Sequence, residues 1–78
     1  MIYLNSAEYK GNFSILCKFS DGKTGIVNLK DKLWGPVFEP LKDEENFKKF
    51  KVSDVLHTIV WYNDADLAPE FLYEAIKE

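Results

Sequence analysis

Apolar and polar residues alternate most cleanly in the first third of the chain. Phe13, Ile15, Cys17 and Phe19 are separated by Ser14, Leu16 and Lys18. This is a period of two with one strongly apolar face, as in a half-buried strand. Ile2 to Tyr9 is a more mixed stretch that predicts an earlier strand, and Gly11–Asn12 after it is a turn signal. The Asp21–Gly22 pair, followed by Thr24 to Leu29, predicts a hairpin and its return strand. Parity decides the register. A two-residue loop would set Cys17 against Ile26 and Ile15 against Asn28. One more loop residue puts Ile15 and Cys17 on the same face as Val27 and Leu29. A one-residue slip turns every side chain over, so burying one apolar face selects a three-residue loop with Gly22 left-handed.

From Asp31 the alternation stops. Gly35, Pro36 and Pro40 break regular structure, while Leu33, Trp34, Val37, Phe38 and Leu41 remain apolar. Such a loop must lie on something, and it is expected to cover one end of the core. Asp43 can cap a short helix, with Glu44 and Glu45 in its favourable first turn and Phe47 and Phe50 on one face. Val52 to Trp61 reads as a central strand: Val55, His57, Ile59 and Trp61 share one face, and Leu56, Thr58 and Val60 the other. Pro69 suits the first position of a last helix, in which Phe71, Leu72, Ala75 and Ile76 follow helical spacing. The pattern predicts one domain over 1–78 of the α+β class: a small antiparallel β-sheet of three to five strands with two short helices, the second C-terminal.

Composition narrows the function classes. At 78 residues, 46% of them hydrophobic, the chain can build one core but not a core and a deep enclosed pocket. Dimerisation would be a natural way to bury more surface. Cys17 is the only cysteine, which excludes an internal disulfide or a CxxC zinc motif and suits a reducing cytoplasm. No apolar run reaches the length of a membrane helix, and the N-terminus has no signal-peptide pattern. All ten basic residues are lysine, against 13 acids, for a net charge of −3. Lys48, Lys49 and Lys51 are the only cluster and read as a solvated face. The absence of arginine and of a basic face argues against direct nucleic-acid binding.

Three strings of residues then fall into a familiar order: Phe19, Asp21, Gly22 and Gly25; then Leu29, Leu33, Gly35, Phe38, Pro40, Leu41, Asp43 and Phe47; then Thr58, Ile59, Trp61, Asn63, Ala65, Asp66, Ala68, Pro69, Glu70, Leu72 and Tyr73. In this the chain resembles the bacterial domain of unknown function 2442 family (DUF2442) over nearly its whole length. The resemblance implies a sheet with helices packed on it, found alone or joined to a C-terminal helix-turn-helix domain, for which a chain ending at Glu78 is expected to leave no room. It also implies a stand-alone companion of a second small protein, in the manner of toxin–antitoxin pairs. Asn28 stands where the family often has Asp, which weakens any claim for a shared acidic set, and Tyr62, where it often has Pro, adds a large ring beside Trp61.

Three groups of residues carry candidate chemistry. Asp64 and Asp66, with Glu70 one turn on, could offer oxygens to a divalent ion. Their spacing lacks the glycine and frame of a calcium loop, and an Asx turn at Asp64 with helix-end charges at Asp66 and Glu70 explains them locally. Cys17 and His57 could form a nucleophile–base pair only if they met, and a thiol among apolar neighbours is inert. No catalytic residue, cofactor or metal ligand is therefore expected. Tyr3, Tyr9, Trp34, Trp61, Tyr62 and Tyr73 are too many aromatics for so small a core, although Trp34 and Trp61 could both complete it. Exposed Trp and Tyr suit a protein interface. The expectation is a non-enzymatic interaction module whose partner is another small protein or a second copy. The expected surface is Trp34 and Phe38 of the apolar loop with Trp61, Tyr62, Asn63, Asp64 and Asp66 of the corner. The alternative is a small metal- or ligand-binding protein using the Asp64/Asp66/Glu70 corner.

Overall fold

The computed structural model describes residues 2–76. Three antiparallel strands, β1 (Leu4–Gly11), β2 (Ser14–Phe19) and β3 (Thr24–Asn28), form a sheet in that order. A 3₁₀ turn (Glu39–Lys42) and the short helix α1 (Glu44–Phe47) follow. The two-residue strands β4 (Lys51–Val52) and β5 (Ile59–Val60) pair with each other, and α2 (Pro69–Glu74) ends the described chain. The class is α+β.

The β2–β3 register pairs Ile15 with Val27 and Cys17 with Gly25, odd with odd. The loop between Phe19 and Lys23 holds three residues, and Gly22 takes the left-handed conformation at φ +93°. Ile15, Cys17, Val27 and Leu29 are all fully buried on the inner face. The other hairpin differs from expectation. β1 runs two residues further, to Gly11, and the turn centres on Asn12 and Phe13, both at positive φ (52° and 63°). Two consecutive positive φ values match the twist of a tight hairpin. Phe13 is a bulky residue for that region, but it is held there: its ring meets Phe47 edge-on at 4.9 Å, and its N–H donates to the Tyr9 hydroxyl.

Asp43 caps α1 as expected, its carboxylate accepting from the Glu45 N–H at 3.0 Å. The helix is one turn long, so Phe50 lies beyond it, though still against Phe47. Pro69 opens α2. Leu72 is its buried residue, whereas Phe71, expected on the same face, is exposed. Tyr73 packs edge-on to Phe19 and donates from its hydroxyl to Asp21 at 2.6 Å, tying α2 to the β2–β3 turn.

The expected central strand over Val52 to Trp61 does not form. The Ser53 N–H donates to Thr58, and the His57 N–H donates back to the Ser53 carbonyl. The Ser53 hydroxyl accepts from the N–H groups of Val55 and Leu56. A serine that satisfies neighbouring amides offers the backbone an alternative to the ladder. The segment becomes a tight turn with Val55 83% exposed and His57 at φ +58°. The sheet therefore stops at three strands, with β4–β5 set beside β1 through Leu4 N–H to His57 O. No helix among the described residues is long and apolar enough to cross a membrane.

Candidate protein-interaction surface

The two segments expected to form a contact surface, the apolar loop and the corner after β5, lie against each other. The corner is built from its own backbone: the Trp61 N–H donates to Ala65 O, and the Asp64 N–H to Trp61 O. Asn63 closes it. Its side-chain oxygen accepts from the Ala65 N–H, and its amide donates across to the Val37 carbonyl at 2.8 Å. The Asx turn expected at Asp64 is thus made by Asn63, and Asp64 sits at φ +66°. An uncharged amide is required here because one side chain must both accept and donate.

The two tryptophans have opposite fates. Trp61 is 1% exposed. Its indole donates to Phe47 O at 2.7 Å and its ring packs with Phe38, Phe47 and Phe50. It anchors the core beneath the surface and cannot itself touch a partner, a correction to the expected surface. Trp34 is 77% exposed, yet its indole N–H donates to Asp31 O at 3.2 Å, so the ring is held rather than loose. Leu33 and Leu41 on either side are buried, which fastens the loop to the core. Tyr62, 59% exposed, directly precedes Asn63, and the exposed Val37 supplies that residue's acceptor. Phe38 is half-buried, with its edge on Trp61. Trp34, Val37 and Tyr62 are therefore the large apolar side chains that these two loops present to solvent. Beside Trp34 lies an open cleft of about 400 Å³ whose walls include Lys30, Leu33, Gly35 and Lys42.

The acids of the corner do not converge. Asp64 and Asp66 are exposed, and the backbone of Asp66 bridges to Val60. Glu70 is in the first turn of α2. Among the described residues no three His, Cys, Asp or Glu side chains are grouped so that they could hold a metal ion. Cys17 and His57 also serve separate ends. Cys17 is enclosed in the core, where burial pushes its thiol up to about 11. The His57 ring stacks on Tyr3 at 4.1 Å. A feature missed from the sequence is the apolar tip Val55–Leu56, which only the Ser53 turn turns outward.

The family model described as "Protein of unknown function (DUF2442)" matches residues 4–78. No curated protein matches the sequence. Among solved structures the chain is similar to the crystal structure of "Putative DNA Binding Protein NE0471" from Nitrosomonas europaea ATCC 19718, with a TM-score of 0.83 at 19% identity. The match covers 99% of this chain and 50% of that one, so this chain spans about half of that protein's length. At such identity the likeness shows a shared fold.

Proposed function

The chain belongs to the DUF2442 family, a membership that assigns no activity, and we propose from its surface that it is a non-enzymatic protein-interaction module. The observation that carries this reading is the exposure of Trp34 and Tyr62 on two loops pinned together by Asn63. Trp and Tyr are residue types enriched at protein contacts, and these two stand exposed on loops joined by a hydrogen bond. Holding the Trp34 ring in place before contact lowers the ordering cost of binding. Trp and Tyr are also the residues that most often dominate interface energies. The finer form of the proposal is an antitoxin-like companion that masks a small cognate protein, working in the cytoplasm. A duplex-DNA role, suggested by the name of the Nitrosomonas europaea protein, is disfavoured here by the excess of acids over lysines and the lack of arginine.

The test is capture of the partner by tagged protein, with Trp34→Ala and Tyr62→Ala compared with the parent. Each substitution should lower recovery of a stoichiometric partner at least about tenfold while the amide spectrum stays folded. Unchanged recovery by both variants would overturn the surface.

A further inference from the structure

We infer that the edge of β3, unpaired among the described residues, is a second binding site, which takes an extended segment of another protein as an added strand with an aliphatic side chain facing the groove beside α2. It is distinct from the Trp34–Tyr62 surface and does not depend on it.

The hydrogen-bond phase exposes the edge. Phe19 N–H donates to Lys23 O and Leu29 N–H to Phe13 O, so the odd residues of β3 bond to β2. In an antiparallel pair the even residues then turn their N–H and C=O groups outward. These are Thr24, Ile26 and Asn28, and among the described residues their outward backbone groups meet no backbone partner.

Edges are normally blunted by charge, proline or bulges. β1, the other edge of the sheet, has two register shifts and carries Glu8 and Lys10, and its start is covered by the β4–β5 turn. β3 has no charge, no proline and an unbroken register. Ile26 at its centre is exposed.

A groove lies beside this edge. It is open to solvent, holds about 380 Å³, and is lined by Asn28, Lys32, Glu74, Ala75 and Ile76. Ile76 covers Gly25 on the inner face, the face that also carries Val27. A strand added along β3 would send its inner side chains toward the mouth of this groove. Backbone bonds to the edge would supply affinity, and the side chain entering the groove would supply selectivity. Lys32 and Glu74 have opposite charge, so the groove selects by size rather than sign.

A second copy fits less well. Two β3 strands paired in full about Ile26 would place the second copy's Val27 opposite Gly25, where Ile76 already covers the inner face, and its Gly25 opposite Val27, next to Asn28 of the groove. Glycine has no side chain to enter the groove. A foreign segment with valine or a similar residue at that position fills it.

The probe is the blocked peptide acetyl-Thr-Val-Thr-Val-Thr-amide, titrated into the ¹⁵N-labelled protein. The expected result is a saturable shift of the Thr24, Ile26 and Asn28 amides and slower hydrogen exchange at the same three. N-methylation of the threonines should weaken binding at least about tenfold, because it removes the donors facing the edge. Ile26→Pro should do the same while the inward amides of Gly25 and Val27 stay protected, since proline here deletes only an outward donor. Ala75→Phe, which fills the groove, provides a second variant. Trp34→Ala should leave peptide binding unchanged, so loss of one surface is read separately from the other. No shift up to about 5 mM peptide, well above a weak Kd, would overturn the inference. So would concentration-dependent protection of the three amides in the free protein, which would mean that a second copy occupies the edge.

Discussion

At Gly25 the absence of a side chain sets the position of the last helix. A Cβ built there would stand 2.3 Å from Cγ2 of Ile76, far inside contact distance. Gly25→Ala should destabilise the domain by about 1–3 kcal/mol, as overpacking does. Ile76→Ala in the same chain should return part of that loss, a non-additivity expected of residues in contact; denaturant midpoints of the single and double variants check it. Cys17 allows a second residue-level prediction. Burial raises the folded thiol from its ordinary 9.0 to about 11. As pH rises, the unfolded chain therefore ionises first. The stability linked to this thiol is complete below about pH 9 and falls by about 1.4 kcal/mol per pH unit until about pH 11. Cys17→Ala should lack that fall, so the gap between its urea midpoint and the parent's should narrow with pH. Local chemistry of this kind was legible in the sequence where one residue type has one use. Gly22 in its turn, the Asp43 cap and Pro69 at a helix start are such cases. It was not legible where two residues compete for one job, as Asn63 and Asp64 do. The choice rests on Val37, which is remote in sequence and needs a donor that aspartate cannot offer.

Elements follow the same division. The β2–β3 register was readable because only one parity buries Ile15, Cys17, Val27 and Leu29 together. The stretch from Val52 to Trp61 is apolar on both faces, as a central strand would be, and yet its middle, from Ser53 to Thr58, folds as a turn. Apolar pattern reports what a strand would bury; it does not register that Ser53 can satisfy two amides without a neighbouring strand. This difference gives opposite expectations for Val55. In a central strand, Val55→Lys would place a charge in the core and cost several kcal/mol. At an exposed turn tip it should change stability by no more than about 0.5 kcal/mol. Ser53→Ala should cost more, about 0.5–2 kcal/mol, the range seen when a hydroxyl capping free amides is lost. Thermal unfolding of the two variants decides the order, and a larger loss for Val55→Lys would contradict the turn.

For the molecule as a whole, the question is which aromatics hold the fold together and which are left over. A chain of 78 residues with 15% aromatics cannot enclose them all. Trp34 and Trp61 both lie among apolar neighbours in the chain, so they could not be ranked before the fold was known. The ranking comes from assembly: Trp61 is reached from three sides by Phe38, Phe47 and Phe50, and Trp34 by none of these rings. The two should therefore separate in solution. Trp34 emission should be red-shifted and quenched by iodide, while Trp61 emission should be blue-shifted and protected. Trp34→Ala should remove the quenchable component and alter stability by no more than about 0.5 kcal/mol. Trp61→Phe should cost about 1–3 kcal/mol, because Phe47 O would be left in the core without its indole donor. When the partner binds, the Trp34 component alone should move to the blue and lose its quenching. If Trp34 stays accessible to iodide in the complex, the partner lies elsewhere on the molecule, and the open edge of β3 becomes the surface to examine.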